Sequence, residues 1–137
     1  MDTRVRMKTK PILNKIAAGL AFVIGVMAIF AGGKVLLGIL PDYYVIDWLP
    51  IYNFVVGLSS AFFTAIVIWK KSRLSMPAAL ATFGLHVIVM LILQTTYRGI
   101  VAPDSIMAMA VRLVVWVIIL TLLFVQQGRI KKQGGTL

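Results

Sequence analysis

Three ionisable side chains lie inside long apolar stretches of the sequence, where a charge is costly: Lys34, His86 and Arg112. A cation near the centre of a bilayer costs about 2.5–3.5 kcal/mol on insertion scales, so it needs a partner, a polar cavity or a route to the surface. We expect Lys34 to extend towards the headgroups and His86 to form a hydrogen bond between helices as a neutral imidazole. Arg112 either pairs with an aspartate or contacts a ligand or proton path directly.

Along the third apolar stretch His86, Met90, Gln94 and Arg98 follow one another at four-residue steps, which places them on one slowly turning line. In the fourth stretch Arg112 and Trp116 lie one helical turn apart, so the guanidinium is positioned to stack on the indole ring. This pattern predicts a polar pocket in the outer half of the protein, which would admit a polar headgroup, a small anion or a quinone ring. Its candidate residues are Lys34, His86, Gln94, Arg98, Arg112 and Trp116.

Three aspartates are available as partners for these cations. Asp42, Asp47 and Asp104 all lie between the apolar stretches, whereas the remaining acid, Asp2, precedes the first stretch. We expect one of the three to pair with Arg112. Such a pair would draw its loop over the pocket as a lid.

The residue types that most catalytic and metal sites require are missing. The sequence has no cysteine, no glutamate and one histidine, which excludes thiol chemistry and bis-histidine haem ligation within one chain. It also has no activated nucleophile, paired intramembrane carboxylates or phosphate-binding glycine loop. We therefore predict no metal, no cofactor other than a quinone, and no enzymatic activity of its own.

The apolar stretches cover residues 16–40, 51–69, 77–97 and 106–125. Crossing a hydrocarbon core of ~30 Å takes about 20 helical residues, so each stretch is long enough to span a bilayer. With 61% hydrophobic residues and a mean hydropathy of +0.98, little of the chain remains for a soluble domain. The sequence predicts an all-α polytopic membrane protein, one domain of residues 1–137, folded as an antiparallel bundle of four transmembrane helices.

The net charge of +10 is distributed unevenly. Eleven of the fourteen lysines and arginines flank one predicted face: Arg4, Arg6, Lys8, Lys10, Lys15, Lys70, Lys71, Arg73, Arg129, Lys131 and Lys132. The positive-inside rule then predicts that both termini are cytoplasmic, and we expect the membrane to be a bacterial-type inner membrane. We expect the lipid bilayer as its partner, and no nucleic acid.

Small residues follow one another at four-residue steps in the first two stretches. They are Ala17, Ala21 and Gly25 in the first stretch, with Ala28 and Gly32 offset by one, and Gly57, Ala61 and Ala65 in the second. Because lipid gives apolar helices no hydrophobic reason to associate, such rows favour a close helix–helix contact. Aromatic residues at the outer boundary are expected to act as interfacial anchors: Tyr43, Tyr44, Trp48, Tyr52 and Tyr97.

The segments Gly19-Leu20-Ala21-Phe22 and Ala31-Gly32-Gly33-Lys34 resemble the opening helix of DoxX-like four-helix membrane proteins. The similarity covers about a quarter of the chain, and the later helices do not match it. Some proteins of that kind are associated with quinone-linked oxidation or redox-stress complexes, which is what the resemblance implies here. It carries over no catalytic residue.

These observations favour a small integral membrane subunit or accessory protein, associated with other membrane subunits or with a second copy. One alternative is a small transporter or channel. Small multidrug exporters, however, depend on a glutamate in the first helix, and the fluoride-channel pattern is not matched by Asn53-Phe54 alone. The other alternative is a quinone- or lipid-binding subunit of a membrane oxidoreductase.

Overall fold

The computed structural model describes the backbone of residues 12–134 and the side chains of residues 12–128. Residues 12–134 form four long helices and no β-strand: α1 (Ile12–Leu36), α2 (Leu49–Trp69), α3 (Ser75–Thr95) and α4 (Pro103–Gly134). Each helix is long and apolar enough to cross a membrane. The all-helical fold with four candidate spans is therefore confirmed.

Helix α1 ends at Leu36 rather than at residue 40, although the apolar run continues. The reason is Gly38, whose φ of +91° is a left-handed conformation that glycine adopts without strain. The Gly38 N–H donates to the Val35 carbonyl at 3.0 Å and the Ile39 N–H to the Lys34 carbonyl at 2.9 Å, which closes the helix. Lys34 thus lies in the last turn of α1, not well inside a longer span.

Helices α1 and α2 approach each other closely where both carry small residues. A Cβ atom added to Gly25 would lie 2.7 Å from the Ala61 nitrogen and 2.8 Å from the Gly57 carbonyl oxygen. Gly32 similarly faces the Pro50 carbonyl. Because α2 residue numbers fall as α1 numbers rise, the two helices are antiparallel, and the contact predicted from the small-residue rows is confirmed.

Helix α2 contains a π-helical segment, Ser59–Thr64, between its two α-helical parts. The Ser60 hydroxyl donates to the Ala21 carbonyl of α1 at 2.9 Å. Both groups are buried, so an interhelical hydrogen bond adds to the close packing of α1 against α2.

Helix α4 packs against both α1 and α3, whereas the backbones of α2 and α3 make few contacts with each other. Two groups of buried residues form the core, one at each end of the bundle. We call the end where α1 begins and α4 ends the terminal end, and the end that carries the α1–α2 and α3–α4 loops the loop end.

Exposed cations collect at the terminal end. Those whose side chains the structure describes are Lys15, Lys70, Lys71 and Arg73. The N-terminal basic residues Arg4, Arg6, Lys8 and Lys10 lie outside the described residues, and so do the side chains of Arg129, Lys131 and Lys132.

Candidate functional site

Arg112 lies in the interior of the bundle and is only 6% exposed. It is nine residues into α4, about 14 Å along the helix axis from Pro103. Its Nη1 donates a hydrogen bond of 2.6 Å to Oδ1 of Asn53 on α2. A guanidinium has five N–H donors, and this is its one hydrogen bond to the described part of the chain. A buried positive charge therefore has an uncharged partner.

The expected aspartate partner is not there. Asp42, Asp47 and Asp104 are all exposed, and within residues 12–128 none of them lies within ion-pairing distance of Arg112. Asp104 is eight residues before Arg112, about 12 Å away along α4. Because Asp104 is fixed in the first turn of α4, its carboxylate does not cover that distance. The acceptor that the guanidinium finds is the neutral amide of Asn53.

A small cavity lined by seven apolar and four polar residues adjoins the guanidinium, and we call it the Arg112 cavity. Its volume is 60 Å³, and its polar lining comprises Arg112, Asn53, Ser105 and Tyr43. Residues of α1, α2 and α4 form most of the wall. Tyr43 belongs to the α1–α2 loop, so that loop does reach the cavity, through a tyrosine and not through an aspartate.

His86 is buried at 3% exposure, and its Nδ1 is hydrogen-bonded to the Tyr52 hydroxyl at 2.6 Å. The sequence suggested that Tyr52 anchors the protein at the membrane boundary, but this contact places its hydroxyl among the helices. The rings of Tyr52 and His86 meet edge to face, with centroids 5.9 Å apart. The pair bridges α2 and α3, whose backbones make little contact.

Trp116 is fully buried and packs against His86, with ring centroids 6.3 Å apart. The expected stacking of Arg112 on this indole is replaced by the hydrogen bond from Arg112 to Asn53. Among the described residues, the Trp116 Nε1–H has no hydrogen-bond acceptor. The cation–π contact that the structure does contain joins Lys15 to Trp69, at the other end of the bundle.

Gln94 and Arg98 do not share the inward face of His86, because both are exposed. A helix advances about 100° per residue, so each four-residue step turns about 40° further and Arg98 lies about 120° around from His86. The row that stays buried is Thr82, His86, Val89 and Leu93. Gln94 and Arg98 instead line a surface groove of 730 Å³ between the ends of α3 and α4.

Lys34 is exposed and does not line the Arg112 cavity. Three polar residues that do line it were missed as site residues: Asn53, Tyr43 and Ser105. A signal for Asn53 was available, since the row of Gly57, Ala61 and Ala65 continued one step backwards reaches position 53. Tyr52 precedes Asn53 on α2, and its hydroxyl contacts His86 on α3.

The arrangement offers a fixed positive charge with N–H and O–H donors around a small cavity. Residues 12–128 contain no cluster of three histidine or acidic side chains able to hold a metal ion. The cavity chemistry suits an anion, because a cation would be repelled by Arg112.

Comparison with protein-family models, curated proteins and solved structures finds no match to this chain. The resemblance of the first span to DoxX-like proteins stays a prediction. A function for this chain therefore rests on its own residues and their geometry.

Proposed function

We propose that this chain is a small multi-pass protein of a bacterial-type inner membrane, an integral subunit or accessory factor whose Arg112 cavity binds a small anion. Four helices of sufficient length and apolar character support the membrane part. Eleven basic residues lie, in the sequence, up to the first turn of α1, between α2 and α3, or after residue 128, and this distribution supports an orientation with both termini in the cytoplasm. The cavity then lies in the outer half.

The observation that carries the binding proposal is the buried Arg112 guanidinium with an uncharged partner. Removing a charge from water costs several kcal/mol per ion even after relaxation, and attraction to a nearby opposite charge offsets that cost when the geometry and hydrogen bonds are good. Asn53 supplies one acceptor but no charge. An anion in the adjoining cavity would supply the missing charge and accept further hydrogen bonds from the guanidinium.

The volume of the cavity favours a small ligand. An apolar cavity of about 150 Å³ holds benzene, and one water molecule takes about 30 Å³ in the liquid. At 60 Å³ the Arg112 cavity is suited to an ion of the size of chloride or formate, in preference to a quinone ring. The hydroxyls of Tyr43 and Ser105 add donors that would orient such an ion.

The test is anion-dependent thermal stability of the purified protein in detergent. Unfolding is measured in sodium chloride, sodium formate and sodium gluconate at equal ionic strength, gluconate being too large for the cavity. A ligand that binds only the folded state raises the melting temperature in a saturable way. We expect this rise with chloride or formate and none with gluconate. Identical melting curves in the three salts would disprove the binding proposal.

Replacing Asn53 with Asp sharpens the test. The variant carries a carboxylate at the hydrogen-bonding position, so it is expected to be stable in gluconate and to lose its response to chloride and formate. The matched control is Arg98→Gln, which removes an exposed arginine of the same end of the bundle and should keep the full response. If Asn53→Asp responds to the small anions as strongly as the unmodified protein, Arg112 does not bind them.

Anion transport is the second candidate function, and one observation favours it. Buried polar side chains occur from one end of the bundle to the other: Asn14, Ser60, Thr64, Ser75, Thr82, His86, Arg112 and Gln126. Chloride efflux from proteoliposomes discriminates the two functions. Sustained efflux that Asn53→Asp abolishes would indicate transport, whereas saturable binding without efflux, together with copurifying membrane subunits, would indicate an accessory protein.

A further inference from the structure

A groove on the outer surface of α1 and α2 runs towards the terminal end of the bundle. Its volume is 570 Å³, and Gly19 and Ala65 are among the small residues that line it. A Cβ added to Gly19 would have nothing within 4 Å, so the groove is open at that point. Phe22 and Phe62 also line it, and both are about half exposed. We call it the α1–α2 groove.

Two lysines mark one end of this groove. Lys70 lines it directly, and the ammonium group of Lys15 lies 5.5 Å from the centroid of the Trp69 ring, which is also part of the lining. Away from this end the lining is apolar. The groove therefore suits a ligand that combines an anionic head with an apolar tail.

The groove has the length of one membrane leaflet. From Trp69 back to Ala61, α2 advances eight residues, about 12 Å at ~1.5 Å per residue. Half of a hydrocarbon core of ~30 Å is about 15 Å. The dimensions thus fit an acyl chain whose headgroup lies beside Lys15 and Lys70.

We propose that the α1–α2 groove binds an anionic phospholipid, with one acyl chain along Gly19 and Ala65 and the phosphate between Lys15 and Lys70. This inference rests on the membrane insertion proposed above and is independent of the Arg112 cavity. Attraction of anionic lipid to a basic side chain near the surface is worth roughly 1 kcal/mol, a factor of about five in affinity, per lysine or arginine.

The experiment measures quenching of tryptophan fluorescence in vesicles of phosphatidylcholine mixed equally with phosphatidylglycerol. Either the phosphatidylcholine or the phosphatidylglycerol carries bromine on its acyl chains, which quenches tryptophans that it contacts. Trp69 is 55% exposed in the lining of the groove, whereas Trp116 is buried and Trp48 lies at the loop end, so both contribute little to a difference between the groove variants. We expect stronger quenching by brominated phosphatidylglycerol, a preference of severalfold at Trp69.

Variants distinguish binding of the lipid in the groove from a general attraction of anionic lipid to a basic surface. Lys15→Gln combined with Lys70→Gln should abolish the preference, and Gly19→Leu, which fills the groove, should reduce it. The charge control is Lys71→Gln combined with Arg73→Gln, two cations near the same end that do not line the groove. The volume control is Gly84→Leu, at another helical glycine with nothing within 4 Å of an added Cβ. Both controls should keep the preference.

The possible failures are distinguishable. Absence of quenching by both brominated lipids would show that the chain is not inserted and would overturn the proposed membrane location. Equal quenching by the two lipids would overturn the groove proposal alone. The same conclusion would follow if the charge control lost the preference for phosphatidylglycerol as fully as the Lys15→Gln, Lys70→Gln variant. Quenching that is unchanged when Trp69 is replaced by Phe would show that the lipids do not reach the groove and would also overturn the proposal.

Discussion

At the scale of single residues, side chains connect helices at the loop end whose backbones make few contacts with each other. Tyr52 and Asn53 are neighbours on α2, yet one contacts His86 on α3 and the other contacts Arg112 on α4. Since the α2 and α3 backbones make few contacts, the Tyr52–His86 hydrogen bond is a main link between those two helices.

Tyr52→Phe is expected to lower the stability of the protein by about 1–3 kcal/mol, because Nδ1 of the buried His86 loses its partner. Tyr44→Phe makes the same chemical change at an exposed position and should alter stability by less than about 0.5 kcal/mol. Thermal unfolding in detergent measures both. Similar melting temperatures for the two variants would mean that the hydrogen bond contributes nothing to stability.

At the scale of helices, the α1–α2 contact depends on the absence of side chains. Gly57 faces the backbone of α1, where an added Cβ would lie 2.7 Å from the Gly25 carbonyl oxygen and 2.9 Å from the Ile29 nitrogen. Gly84 lies inside α3, where an added Cβ would meet nothing within 4 Å. The same substitution should therefore have opposite effects in the two helices.

Gly57→Ala is expected to destabilise the protein by about 1–3 kcal/mol, because the backbones must separate to admit the methyl group. Gly84→Ala should stabilise it by about 0.5–1 kcal/mol, the usual gain when alanine replaces glycine within a helix. The sign of the change in melting temperature is the measurement. A loss of similar size at both positions would show that proximity of the α1 backbone is not what makes Gly57 necessary.

Much of this architecture was readable from the sequence, because long apolar runs and four-residue rows of small residues reflect repeating helical geometry. Interruptions of that geometry were harder to predict. Hydropathy alone predicted that the first helix extends to residue 40, whereas the left-handed conformation of Gly38 ends it at Leu36. The prediction that His86, Gln94 and Arg98 face one pocket was wrong for a related reason, because each four-residue step turns about 40° around the helix.

The partner of Arg112 was mispredicted because charges were matched by sign, without regard to distance: Asp104, for example, lies about 12 Å from Arg112 along α4. Sequence spacing also does not show which of two adjacent residues on α2 will face α3 and which will face α4. That division between Tyr52 and Asn53 depends on how the helices are arranged about one another, which only the folded structure reveals.

At the scale of the whole molecule, the two ends differ in charge. The loop end carries Asp42, Asp47 and Asp104, whereas the described cations of the terminal end have no acidic residue beside them in the α2–α3 connection. An excess of lysine and arginine in short loops sets the orientation of membrane proteins, with the basic side retained in the cytoplasm. The proposed anion cavity would then lie towards the outside, and the α1–α2 groove would face the inner leaflet.

This orientation predicts the labelling of single cysteines in intact cells by a membrane-impermeant maleimide. The chain has no cysteine, so each variant carries one thiol. Tyr44 in the α1–α2 loop and Leu74 in the α2–α3 connection have nearly equal exposure, 55% and 52%, which makes them a matched pair. Tyr44→Cys should be labelled from outside, whereas Leu74→Cys should react only after the cells are permeabilised. The reverse labelling pattern would show that the protein has the opposite orientation in the membrane, because the two side chains are almost equally exposed in the folded protein. The Arg112 cavity would then lie towards the cytoplasm, and the lipid of the α1–α2 groove would come from the outer leaflet.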